Sequence, residues 1–438
     1  MTTVPDERSQ RTRVLWLSTI AFTLMFAVWL MLGVLGIPIA KELNLTDVQL
    51  GWLGGVAILA GSLLRFNFGV WTDYRGGRKM MTLLLLLTVI PTYWVSQVTS
   101  YTELLICAAL FGLAGNSFTV GIAWNAAWFP REQQGLALGV FGAGNVGASV
   151  TKLLFGLYGA VLLTLIPATG LLGGLLPGGW RFYPAFYSVL LLGMAAAVWF
   201  IAPRQDKMPA KGRPFREMLE PLKHARVWQY SLHYVVVFGA YVALALRLPK
   251  YYKDTYGADL ATAFGWDGVN DDMQLLRIAS LLTAMFIFPA SLLRPLGGYL
   301  SDRFGPRIVM YGIFTAMIGS GIMLSLPIQW SVWTFTAFVF VLGCGMGVGK
   351  AAVYKLIPEY FPREVGAVGG LVGMLGALGG FVLPPVWAYA QRWTGFPQTT
   401  FLTLLALTMI SAVWFHLDVV RARKTAMTPE LAPSPAST

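Results

Sequence analysis

The sequence predicts an all-α integral membrane protein of twelve transmembrane helices, arranged as two pseudo-symmetric six-helix bundles. Three observations carry that expectation. Hydrophobic residues make up 56% of the 438-residue chain and charged ones only 12%, with a mean hydropathy of +0.63, far too little charge for a soluble surface. Apolar segments near the ~20 residues that cross a bilayer recur along the whole length. Distinctive strings of the first half return in the second.

Taken in order, the first span (residues 15 to 37) is too long for a signal-peptide core, and no small-residue cleavage pattern follows it, so it reads as retained. It centres near residue 26, and the next five near 59, 88, 115, 146 and 191. After the fifth, GLYGAVLLTLIPATGLLGGLLPGG stays apolar but is broken by Pro167 and Pro177. It reads as an extended outer end plus an interfacial loop, because a thirteenth crossing within residues 159–180 upsets the topology. The basic, proline-bearing stretch PRQDKMPAKGRPFREMLEPLKHARV is a cytoplasmic link. Six more spans centre near 239, 286, 315, 342, 378 and 409. The expected units are a bundle over 1–202, a linker over 203–226 and a bundle with a cytoplasmic tail over 227–438.

The net charge of +12 raises the question of a polyanion partner, and its distribution answers against nucleic acid. With a cytoplasmic N-terminus, 20 of the 32 Lys and Arg fall in inside segments and six in outside loops. That is the positive-inside bias, and it predicts both termini in the cytoplasm of a bacterial inner membrane. The other six, Arg65, Lys152, Arg247, Arg294, Lys350 and Lys355, lie within spans or near their ends. Cys107 and Cys344 have no metal or redox spacing, and three scattered histidines make no metal site, so no metal, cofactor or catalytic group is expected. Loops too short for a soluble domain argue against a receptor or an enzyme.

The repeat is carried by two pairs of strings. SLLRFNFGVWTDYRGGRK (62–79) returns as SLLRPLGGYLSDRFGPR (291–307), with Arg65 and Arg294 each eight positions before Asp73 and Asp302. WFPREQQGLALGVFGAGNVGASV (128–150) returns as YFPREVGAVGGLVGMLGALGGFV (360–382). Parallel halves of six spans point to a transporter whose site lies between the halves near the bilayer midplane. Two arginines at span centres cost about 6 kcal/mol on insertion scales. No aspartate or glutamate lies well inside any span to neutralise them, so the missing negative charge is read as the substrate. GAGNVG (142–147) fits the letters of a dinucleotide fingerprint, but it lies inside an apolar segment without a strand before it. Its glycines read instead as close helix packing, with Asn145 left as a polar group in their midst.

GVWTDYRGGRK and GYLSDRFGPR resemble the loop 2–3 and loop 8–9 motif of the major facilitator superfamily. The matching positions are Gly69, Asp73, Arg75, Gly76 and Arg78 in the first copy, and Gly298, Asp302, Arg303, Gly305 and Arg307 in the second. Cations and one carboxylate in a short loop can latch adjacent helix ends, and breaking that latch gates alternating access. The runs GVFGAGNVGAS and GGLVGMLGALGG, with the two intramembrane arginines, resemble the NarK-type nitrate/nitrite porters over essentially the whole chain. The resemblance implies that Arg65 and Arg294 bind the substrate anion, that Phe118, Tyr234 and Phe238 pack above and below it, and that Asn145 is the signature asparagine. The chemistry agrees independently, since a planar guanidinium donates two parallel hydrogen bonds to a planar anion such as nitrate.

A lone anion entering an inside-negative cell costs about 2.3 kcal/mol per 100 mV, so uptake must be coupled. The pattern GMGVGKAAVYKLIPEYFP (345–362) resembles the proton-symporting branch of that family. Burial beside two arginines disfavours the charged form of a lysine, which makes Lys350 the first candidate proton carrier. Lys152, Lys355 and His233 are weaker candidates. The expected activity is proton-coupled nitrate import by a functional monomer, with nitrate/nitrite exchange as the alternative. An unrelated exporter of apolar compounds fits the unpaired cations less well.

Overall fold

A computed structural model of the chain describes residues 7–149, 166–167, 169–211, 215–218, 220–263 and 272–427. The first half runs through α1 (Glu7–Trp29), a short α2 (Leu32–Glu42), a second span divided into α3 (Asp47–Leu63) and α4 (Arg65–Arg75), and α5 (Gly77–Val95). The fourth span divides into α6 (Tyr101–Phe111) and α7 (Ser117–Trp128); the described start of the fifth is α8 (Arg131–Gly142), and the sixth is α9 (Phe182–Ile201). The second half begins with α10 (Ala225–Tyr234) and α11 (Ala240–Ala263) and continues with α12 (Asp272–Leu292) and α13 (Arg294–Phe304). It ends with α14 (Pro306–Ser325), α15 (Val332–Tyr360), α16 (Val365–Thr394) and α17 (Thr399–Met427).

Among the described residues, ten helical stretches are long and apolar enough to cross a membrane. The third expected span is the separate helix α5, and the fifth is described as far as residue 149. The expected interfacial loop is described over residues 169–180, where a bridge between Leu171 and Leu176 closes a turn in place of a crossing helix. Three of the helices entering from the side away from the termini begin on hydroxyl caps: Thr46 in a reciprocal box with Gln49, Ser100 accepting from Glu103 N, and Ser331 accepting from Thr334 N. Large apolar side chains such as Ile90, Phe200 and Ile308 remain exposed around the perimeter, as a lipid-facing surface requires.

The halves touch closely on the side of the termini and splay on the other. Backbone meets backbone between α4 and α16, where a Cβ on Gly69 would stand 2.0 Å from Gly366 O, and between α13 and α8, where one on Gly298 would stand 2.0 Å from Gly135 O. Only glycine lets helices approach so far. Opposite this seam, a cavity of about 830 Å³ opens between the halves, lined by Leu50 and Gly54 from one and by Phe381 and Pro384 from the other. The cavity opens away from the termini.

Candidate anion site between the halves

Helices that run past the midplane are irregular where they do so. The second span breaks at Leu64 (φ −91°, ψ 1°) and the eighth at Leu293 (φ −82°, ψ 1°), so that Arg65 and Arg294 each begin a new helix. The fourth span passes through a 3₁₀ turn at Gly112–Asn116, the fifth through one at Ala143–Val146, and the seventh through a π turn at Val235–Gly239. Such interruptions present backbone carbonyls and side chains to a central site, and they are tolerated in a membrane only where protein or a cavity surrounds them.

Both arginines are buried, at 0% and 1% exposure, a burial that requires partners. Arg65 Nε donates to Gly61 O of its own span at 2.9 Å, and Nη1 donates across to Gly373 O of α16 at 3.1 Å. Arg294 mirrors it, with Nη1 donating across to Gly142 O of α8 at 3.2 Å and Nη2 to the Tyr234 hydroxyl at 3.4 Å. Each guanidinium therefore bridges the two halves. Arg65 Nη2 and Arg294 Nε have no acceptor, and among the described residues neither arginine meets a carboxylate.

Aromatic rings complete the site. The Arg65 and Arg294 guanidiniums lie 5.6 and 5.1 Å from the centroid of Phe118. Phe118 is nearly parallel to Phe238 (centroids 6.3 Å, interplanar angle 8°) and to Tyr234 (6.2 Å, 13°). Asn145 is fully buried in the 3₁₀ turn, and both polar atoms of its amide are unpartnered. The glycines flanking it serve packing: a Cβ on Gly147 would stand 2.0 Å from Thr23 O of α1.

The structure brings Arg65, Arg294, Phe118, Tyr234 and Phe238 together between the halves, with Asn145 buried on the same irregular span that supplies Gly142 O. It also adds Trp29, whose ring lies 5.2 Å from the Arg65 guanidinium, and Tyr354, which meets Phe118 and Tyr234 edge-on at 5.1 and 4.8 Å. Nothing in the first span singles out Trp29. Tyr354 had a signal, since it falls four residues after Lys350 on the same helical face.

The candidate proton carriers separate. Lys350 is fully buried beside the site, donating to Ala290 O at 3.0 Å, with its Nζ 3.1 Å from the centroid of Tyr241. Lys355, expected as a carrier, instead stands at the seam on the side of the termini, paired with Asp302 Oδ1 at 2.7 Å and donating to Arg131 O. His233 is buried inside the second half, bonded to Ser411 and packed on Phe314 and Phe415. Lys152 lies outside the described residues.

The repeated loop motif is divided between two tasks. Its carboxylates reach across the seam: Asp73 Oδ2 accepts from Gly366 N at 2.9 Å, and Asp302 accepts from Gly135 N and Leu136 N at 3.0 and 2.7 Å. Each carboxylate thus meets a helix N-terminal region of the opposite half, where the partial positive charge of the helix favours an anion. The cations, expected as part of the latch, brace their own halves. Arg78 donates to Trp199 O and Arg204 O, Arg303 to the Tyr299 hydroxyl and Arg307 to the Tyr360 hydroxyl, while Arg75 is exposed. Gly76 and Gly305 end the two motif helices at φ 82° and 83°, a backbone region open mainly to glycine.

Comparisons with known proteins agree with this geometry. The profile of the Major Facilitator Superfamily matches residues 17–269 and 260–437. A protein of Thermus thermophilus described as a probable nitrate/nitrite antiporter, NarK1, is 57% identical over 95% of this chain and 93% of its own. A nitrite extrusion protein of Bacillus subtilis is 27% identical over 91% and 93%. Among solved structures, the fucose:proton symporter FucP of E.coli superposes with a TM-score of 0.66 over 91% of this chain and 98% of its own, at 13% identity that speaks to fold alone. Twice-repeated helix halves, arginines facing each other across them and a match over the whole chain place this protein in the Major Facilitator Superfamily, within the NarK-type porters.

Proposed function

We propose that the protein carries nitrate and nitrite through the cytoplasmic membrane of a bacterium by alternating access, as a monomer with both termini inside. The observation that carries this reading is the pair of buried, bridging arginines, each with one nitrogen that has no partner and neither with a carboxylate among the described residues. A small anion held beside both guanidiniums and the ring of Phe118 supplies the missing charge. The names of the relatives support nitrate and nitrite as the anions.

For the coupling, exchange of nitrate for nitrite is the first reading. It moves no net charge, needs no titrating group, and suits a site built of cations; the 57%-identical relative is described as an antiporter. Proton symport is the second reading, and Lys350 favours it: a fully buried amine beside the arginines could cycle its proton with each anion.

Uptake of labelled nitrate into proteoliposomes under two separate drives decides between them. Exchange gives uptake with nitrite trapped inside and no proton gradient. Uptake under an inward proton gradient without internal nitrite establishes symport and assigns Lys350→Met as the variant that loses it. Silence under both drives overturns the assignment of the anion. In the same assay Asn145→Ala weakens the apparent nitrate affinity about tenfold, the size of one lost hydrogen bond to a charged ligand. An unchanged affinity removes Asn145 from the site.

A further inference from the structure

The cavity that opens away from the termini ends short of the cations. Its lining contains neither Arg65, Arg294 nor Lys350, and all three are at most 1% exposed. An anion that has entered the cavity is therefore still separated from the groups that would bind it.

Two of the residues that form the cavity wall explain the separation. Trp29 and Tyr241 line the cavity on one side and hold a buried cation on the other. The Arg65 guanidinium lies 5.2 Å from the Trp29 ring, and the Lys350 ammonium 3.1 Å from the Tyr241 ring. One ring comes from each half of the molecule, Trp29 from the end of α1 and Tyr241 from the start of α11. Each is held at its polar edge by one hydrogen bond: Trp29 Nε1 donates to Ala57 O at 2.8 Å, and the Tyr241 hydroxyl pairs with Ser291 Oγ at 3.1 Å. Neither ring is locked by anything stronger than that bond, its packing and the attraction of its face for the cation behind it.

We propose that Trp29 and Tyr241 are a pair of inner doors between the open cavity and the anion site, which an arriving anion opens by competing for the cation behind each ring. The inference rests on the reading of the arginine site as an anion site. An aromatic face offers a cation only its quadrupole, whereas an anion offers a full opposite charge, so the exchange of partners favours the anion. A neutral solute of the same size offers nothing to the cation and leaves the ring seated. The doors therefore add selectivity for anions at the entrance, before the bidentate contacts at the arginines are made.

The test separates a barrier from a binding contact. Rapid mixing of labelled nitrate with the purified full-length protein gives association and dissociation rates, and equilibrium dialysis gives Kd. A door contributes to the barrier alone, so Tyr241→Phe, which deletes only the bond to Ser291, raises both rates about fivefold and leaves Kd within twofold. Trp29→Ala and Tyr241→Ala raise both rates further. Trp29→Ala leaves a hole where Gly61 and Gly115 approach the indole, so Tyr241→Phe decides the matter if that variant does not fold. A weakened Kd with an unchanged association rate makes the rings ligands and overturns the proposal, as do unchanged rates. Absence of nitrate binding in the wild type, by contrast, overturns the anion-site reading itself.

Discussion

Arg65→Lys and Arg294→Lys each lower nitrate transport about a hundredfold, although both keep the positive charge. The expected size follows from what each guanidinium does at once. Arg65 spends Nε on Gly61 O and Nη1 on Gly373 O, and Arg294 spends Nη1 on Gly142 O and Nη2 on Tyr234, leaving one wholly unpartnered nitrogen on each for the anion. A lysine ammonium is a point donor on a flexible stem and cannot hold the opposite half and a planar anion in fixed directions together. Losing one charge-assisted hydrogen bond at ~1.5–3 kcal/mol corresponds to an effect of about tenfold to 150-fold. Uptake by each variant into proteoliposomes, with protein amount normalised, checks the prediction. Near-wild-type uptake in either lysine variant removes that arginine from the site.

Gly69→Ala and Gly298→Ala stop transport for a different reason and from a different place. The added Cβ at each position would stand 2.0 Å from a carbonyl oxygen of the opposite half, Gly366 O or Gly135 O, and both neighbours are backbone that cannot swing aside. The conformation closed on the side of the termini becomes strained by about 1–3 kcal/mol, the usual cost of overpacking, while the opposite conformation, with that seam parted, is spared. The population accordingly shifts toward the state open at the termini by about fivefold to a hundredfold. A cysteine replacing Ala367, which is buried in the seam against Val70 and Ala210, reports the shift. In Gly69→Ala it reacts with an impermeant thiol reagent supplied from the side of the termini, while in the wild-type background it stays protected. Equal protection in both backgrounds means that the seam tolerates the methyl group, and the glycine contacts are then not the gate.

The division of roles within the loop motif bears on how such a gate opens. The carboxylates of Asp73 and Asp302 cross the seam, so separation of the halves must break Asp73 from Gly366 N, Asp302 from Gly135 N and Leu136 N, and Lys355 from Arg131 O. Arg78, Arg303 and Arg307 keep their partners through that motion, because those partners belong to the same half. The arginines of the site also reach across, Arg65 to Gly373 O and Arg294 to Gly142 O, so the same separation must break those bonds.

How much of this was legible beforehand depends on the physics that each feature obeys. Bilayer thickness sets the length of an apolar run, so the spans could be read from the sequence. A charge in lipid is costly wherever it sits, so Arg65 and Arg294 stood out without coordinates. The duplication pointed to two halves with a site between them, and the resemblance to the NarK-type porters implied Phe118, Tyr234 and Phe238 for that site. Trp29 carried no signal, because a tryptophan within an apolar span is ordinary until a guanidinium is seen behind its ring. Lys350 and Lys355 looked alike along one helix, and only tertiary structure separates them, as their side chains leave α15 in different directions and find Tyr241 and Asp302.

What the sequence determined by itself, then, is whatever depends on composition and on position along the chain: membrane residence, the number of spans, the repeat and the two misplaced charges. What the tertiary structure decided is every relation between the halves. It set which side is closed, that carboxylates cross the seam while cations stay at home, and that two aromatic rings stand between the cavity and the site. The physical reason is that contacts 150 to 300 residues apart in sequence, such as Arg294 with Gly142 or Arg65 with Gly373, are fixed by how backbones pack at glycine, and no local pattern records that packing.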